Sequence, residues 1–187
     1  FNFSRQILRQ SQPVLRFFGL KNMASNLDRL LFIGFKLSQG GEHLIMAGES
    51  GQLLTEIIFH QQDGNIPEAI KRIQINLDQA YGELSFVESE LQSGQERNLD
   101  ITASLTQKMQ LLTSKLPEVR AKINQVRVIL PLIPSLIAQD SKKTYLLLFQ
   151  NSAEIRPTGG FIGSYGLLTF EKGKLLDLDV QDIYAAA

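Results

Sequence analysis

The apolar residues in the first three-quarters of this chain alternate three and four positions apart, and this spacing constrains the fold more than any other feature. One run comprises Ile70, Ile73, Leu77, Ala80, Leu84, Val87 and Leu91, and another comprises Leu105, Met109, Leu112, Leu116, Val119, Ile123, Val126, Leu130 and Ile133. Residues three and four apart share one face of an α-helix, so each run predicts a helix with one buried stripe.

Turn and breaker residues set the limits of these helices. Asp63-Gly64-Asn65 predicts a turn, and Pro67 suits the first turn of the helix that follows. That helix is predicted to reach Gln92, and the next to begin near Glu96. Pro117 predicts a kink or a split in the second helix, and Pro131 and Pro134 predict its end.

A heptad repeat containing glycine marks residues 25–61, which we predict to be the first long helix. Its members are Leu30, Leu37, Leu44, Gly51 and Ile58, with a second series at Gly34, Gly41 and Gly48. Glycine costs about 1 kcal/mol relative to alanine inside a helix. The repeat therefore predicts a coiled-coil-like seam on which a neighbouring helix approaches closely; a cofactor groove is the alternative.

The pattern changes after residue 139, where a polar linker precedes strand-like sequence. Tyr145-Leu146-Leu147-Leu148-Phe149 predicts a strand buried on both faces. Residues 161–170 predict a second strand, residues 171–174 a hairpin turn, and the alternation around Leu178 a third strand with one wet face. We predict an α+β fold. Residues 1–139 form an antiparallel helical bundle or hairpin, and residues 140–187 form the opening strands of an incomplete α/β domain.

Composition excludes several classes of site and of partner. The chain has no cysteine and only two histidines, which rules out thiolate chemistry and argues against a zinc site. Its formal net charge is zero, which argues against nucleic-acid binding. No run of about 20 apolar residues is present. The absence of an initial methionine indicates a piece of a longer protein, and residues 3–18 predict either a capping segment or a membrane-surface stretch.

The polar loop at residues 150–160 is the candidate functional segment, since it follows a strand at the sheet end where α/β proteins place ligands. Arg156 offers a fork of donors for phosphate or carboxylate, and Thr158 adds a hydroxyl. Gly159 and Gly160 would turn their N–H groups toward an anion. Glu154 would orient Arg156 or hold a divalent metal such as Mg²⁺. The alternative is a purely structural loop with an Arg156–Glu154 pair and a tight turn.

Residues 144–184 resemble the hallmark of the bacterial domain-of-unknown-function family 4012. The resemblance is carried by a leucine-rich strand, Gln150-Asn151, Glu154, Arg156, Thr158-Gly159-Gly160-Phe161 and a glycine-containing strand. It implies a membrane-anchored envelope protein of unknown function, with its main domain outside the cytoplasm and continuing past Ala187. The membrane anchor would lie outside this chain.

The same segment is similar, more weakly, to the LytR-CpsA-Psr phosphotransferases, which transfer glycans from a polyprenyl-pyrophosphate carrier. Arg156 lies near the place of a pyrophosphate-binding arginine in that family, and Asp182 near a functional acidic position. No second arginine stands next to Asp182, in Gln181-Asp182-Ile183, and the later arginines of that family would lie outside this chain, which leaves catalysis unassigned. Two hypotheses follow. One is an envelope protein that binds a lipid-linked glycan through Glu154, Arg156, Thr158, Gly159, Gly160 and Asp182. The other is a non-enzymatic assembly module, including a homo-oligomer formed through the helices.

Overall fold

The computed structural model describes residues 21–95, 103–151, 153 and 159–184. Its helices are α1 (Lys21–Phe59), α2 (Ile66–Gln95), α3 (Ala103–Ile129), a 3₁₀ turn (Leu130–Leu132) and α4 (Ile133–Leu136). Its strands are β1 (Lys143–Asn151), β2 (Phe161–Glu171) and β3 (Lys174–Asp182). The predicted α+β order, with helices first and strands last, is confirmed.

The chain divides into two compact units. The helical unit lies within residues 1–48 and 73–128, and the mixed unit lies within residues 49–72 and 129–187. The domain boundary that the sequence places at residues 139–140 stays a prediction. In the part of the chain that the structure describes, no helix combines the length and apolar character needed to cross a bilayer.

The helix limits follow the local chemistry of the predicted signals. Asn65 caps α2, because its side-chain oxygen accepts a hydrogen bond from the Glu68 N–H at 3.0 Å. Helix α2 continues past the predicted end at Gln92 as far as Gln95. Helix α3 is continuous through Pro117, so the predicted split does not occur. The predicted start at Glu96 lies outside the described residues.

Helices α1 and α2 of the helical unit run antiparallel and pack through Gly40. Ile33, Gly40 and Ala47 are buried at intervals of seven, and a Cβ at Gly40 would lie 3.2 Å from a methyl carbon of Leu84. Gly34, Gly41 and Gly48 come one residue later, and a Cβ on any of them would meet nothing within 4 Å. Within the described residues no neighbouring helix approaches these three glycines, because the stripe that packs on α2 lies about 100° away around the helix.

Charged pairs at the helix margins fix the antiparallel order. Residue numbers fall along α2 as they rise along α1 and α3, in the pairs Arg29–Glu90 (3.0 Å), Lys36–Glu83 (2.7 Å), Arg120–Glu88 and Arg127–Asp78 (2.6 Å). Tyr81 of α2 lies under the guanidinium groups of both Arg120 and Arg127. Helix α2 therefore lies between two antiparallel neighbours, and its predicted stripe from Ile70 to Leu91 is buried.

The mixed unit contains an antiparallel sheet in the order β1-β2-β3. Lys172 and Gly173 join β2 to β3 with positive φ angles of 53° and 80°, the geometry of a tight two-residue hairpin. Strand β1 was predicted to be buried on both faces, and this is wrong. Leu146 and Leu148 are 60% and 56% exposed, since one face of the strand has no described segment against it.

Phe170 holds the opposite face of the sheet against helical residues of the same unit. Its ring contacts the rings of Phe59 and Tyr145 edge to face, with centroids 6.5 and 6.2 Å apart. The Gln61 side-chain amide donates to the Leu175 carbonyl, and Lys174 donates to the Gln61 carbonyl. The sheet is thus fixed by a segment more than 100 residues earlier in the chain.

Candidate functional site

The candidate loop starts and finishes at one point of the sheet. Asn151 at the end of β1 pairs with Phe161 at the start of β2, so the segment between them leaves and rejoins the sheet at adjacent positions. The pairing register shifts between Phe149 and Gln150, directly before the loop. Such irregularities redirect side chains at strand ends and are common beside functional sites. The sheet end therefore presents a loop whose two ends are fixed next to each other.

Two glycines close the far end of this loop. Gly159 has a φ of 90° and Gly160 a φ of 156°, both in the region that favours glycine. A Cβ at Gly160 would lie 2.6 Å from the Asn151 carbonyl oxygen and 2.9 Å from the Gln150 side-chain nitrogen. At the near end, the Asn151 side-chain oxygen accepts a hydrogen bond from the Ala153 N–H at 3.0 Å. Gly160 is therefore required by close packing against β1, and Gly159 is favoured by its positive φ angle.

The carboxyl end of β3 reaches the same end of the sheet. Asp182 pairs with Ser164 of β2, which is three residues from Phe161, or about 10 Å along the strand. Asp182 accepts a hydrogen bond from the Tyr184 N–H at 2.8 Å, and the Tyr184 ring stacks on Phe161 with centroids 6.0 Å apart. This stack places the residues after β3 beside the exit of the loop.

A comparison with known protein families gives a match over this sheet. Residues 140–187 match the family described as "Protein of unknown function (DUF4012)". The match contains the whole hallmark at residues 144–184, so the predicted resemblance is confirmed over this segment. The comparisons with curated proteins and with solved structures found no match. The similarity to the LytR-CpsA-Psr phosphotransferases stays a prediction.

The described part of the DUF4012 segment holds three of the six predicted site residues. Gly159, Gly160 and Asp182 lie at one end of the sheet, the glycines at the loop exit and Asp182 at the end of β3. Glu154, Arg156 and Thr158 lie outside the described residues, and their role as ligand-binding side chains stays a prediction. In the sequence, all three residues lie between Asn151 and Gly159.

Sequence reasoning missed the aromatic pair that borders this site. Phe161 and Tyr184 are far apart in the chain, and each is placed by its own strand. A signal was present, because Phe161 directly follows the glycine pair and Tyr184 comes two residues after the end of β3. Their stacking depends on the pairing of β2 with β3, which a strand pattern alone does not specify.

The acidic groups that the structure describes near the site do not form a cluster of metal ligands. Within the described ranges, no three His, Asp or Glu side chains are grouped closely enough to hold a metal ion. Asp179 accepts a hydrogen bond from the Gln181 amide, whose oxygen in turn accepts one from the Tyr165 hydroxyl. These groups satisfy one another along β2 and β3.

Proposed function

We propose that this chain belongs to a bacterial cell-envelope protein that binds a phosphorylated or lipid-linked glycan through the loop at residues 150–160. The main domain would lie outside the cytoplasm, with a membrane anchor in a segment outside this chain. One observation carries the proposal. The loop leaves and rejoins the sheet at the Asn151–Phe161 pair, at the sheet end that also holds Asp182.

Charge and geometry favour an anionic ligand for this loop. Its one cationic side chain is Arg156, whose planar guanidinium pairs with two phosphate oxygens at once. The loop ends at Gly159, which is exposed and presents its backbone to solvent without a side chain, and at Gly160, which is buried against Asn151 and Gln150. A pyrophosphate carries more negative charge than a single arginine neutralises, and a Mg²⁺ ion would share the remainder.

Glycan recognition is supported by the aromatic pair at the loop exit. Phe161 and Tyr184 stack at 30° to each other, and Tyr184 is 72% exposed. Aromatic faces bury apolar area while a tyrosine hydroxyl stays available for polar contacts, which suits the mixed surface of a sugar. The proposal extends at most to phosphotransfer of the LytR-CpsA-Psr type. Binding of the glycan is proposed independently of that catalytic activity.

Calorimetric and thermal-shift titration with a short-chain polyprenyl pyrophosphate and Mg²⁺ tests the proposal directly. We expect saturable stabilisation of the protein. Arg156→Ala is expected to weaken binding roughly 10- to 100-fold, because charged hydrogen bonds contribute about 1.5–3 kcal/mol each.

The matched control is Arg72→Ala, which removes one exposed arginine from α2, where it pairs with Glu68. It should leave the affinity unchanged. Equal weakening by both substitutions would indicate nonspecific charge attraction. An absence of binding by the unsubstituted protein would overturn the pyrophosphate proposal.

A second candidate function, assembly through the helices, is favoured by the outward face of α1. This face consists of uncharged residues: Leu27, Leu31, Gly34, Ser38, Gly41, Ile45 and Gly48. Leu27, Leu31 and Ile45 are 44%, 41% and 65% exposed. Solvent-facing helix positions are normally charged or polar, and glycine would let a second helix approach closely. The face fits association of two copies of the chain.

Gly41→Leu tests this second candidate, since a Cβ there would meet nothing within 4 Å among the described residues. The substitution is therefore expected to leave the helical unit folded while blocking close helix approach. Sedimentation velocity should show that the original protein self-associates and that Gly41→Ala retains this self-association. Gly41→Leu should weaken the affinity between copies by at least about tenfold. A monomeric original protein at all concentrations would overturn the assembly proposal.

A further inference from the structure

We draw no further inference here: the strongest candidate, the exposed apolar face of the sheet around Leu146, Leu148 and Leu167, carries nothing because no described part of the structure shows what covers it.

Discussion

At the scale of single residues, Gly160 is the described position of the candidate loop with the closest contacts. An alanine there would need a φ of 156° and would place its methyl group 2.6 Å from the Asn151 carbonyl oxygen. We expect Gly160→Ala to lower the free energy of unfolding by about 1–3 kcal/mol, the usual range for local backbone strain. Urea denaturation followed by circular dichroism measures this change.

Gly82→Ala is the matched control for that experiment. Gly82 lies inside α2, and a Cβ there would meet no described atom within 4 Å. Alanine is favoured over glycine in a helix interior by up to about 1 kcal/mol, so this variant should gain stability. A Gly160→Ala protein as stable as the original would mean that the loop adopts another backbone conformation in solution.

At the scale of secondary-structure elements, α3 contains a proline in its interior. Pro117 lies within the continuous helix, where it has no N–H to donate to the Thr113 carbonyl. We expect Pro117→Ala to raise the free energy of unfolding by up to about 3 kcal/mol, because the substitution restores that donor and removes the ring from the preceding turn. The midpoint of chemical unfolding reports the gain.

Gln125→Ala provides the comparison for Pro117→Ala on the same helix. Gln125 is exposed, and its replacement should change stability by only a few tenths of a kcal/mol. If Pro117→Ala destabilised the protein, the proline would be serving a required bend in α3, and the sequence expectation of a kink would gain support.

At the scale of the whole molecule, the sheet depends on residues far away in the chain. The contacts of Phe170 with Phe59, and of Leu175 with Gln61, lie within the mixed unit, which includes residues 49–72. Three strands alone bury little apolar area. We therefore expect a peptide of residues 140–187 to be unfolded, with no sheet signal in circular dichroism and no dispersed amide resonances in proton NMR.

The comparison for this peptide is the full chain carrying Phe170→Ala. Removing the largest buried side chain of the sheet should cost about 3–5 kcal/mol and speed amide exchange in β1, β2 and β3. Exchange in the helical unit should change little. A folded 140–187 peptide would instead support the domain boundary that the sequence places at residues 139–140.

Local chemistry made much of the fold predictable. The apolar residues from Ile70 to Leu91 follow a single helical periodicity, and the predicted burial of each of them is confirmed, because α2 is packed along its whole length. The Lys172-Gly173 hairpin followed from backbone preferences that those residues carry in any context, and the predicted Asp63-Gly64-Asn65 segment does lie between α1 and α2. In the candidate site, Gly159 and Gly160 were recognisable for the same reason, since their positive φ angles select glycine.

Predictions of burial failed where one sequence pattern was compatible with two different structural environments. The glycine series of α1 was expected to meet a neighbouring helix, yet Gly40 makes that contact and Gly41 faces outward. Leucine at one heptad position and glycine at another predict that one face of α1 packs against a helix. The pattern does not specify which face of α1 contacts α2. Likewise, the apolar run of β1 shows that the strand is hydrophobic, and cannot show whether both faces are covered.

The sequence by itself determined the elements that the structure describes: three long helices, three strands and the glycine pair of the loop. Each depends on the periodicity or backbone preference of neighbouring residues. Only the tertiary structure decided which face of α1 is buried, that Phe170 packs on Phe59, and that Phe161 and Tyr184 stack beside the loop. Those contacts join residues distant in the chain, and their energies depend on pairing and packing that no local pattern encodes.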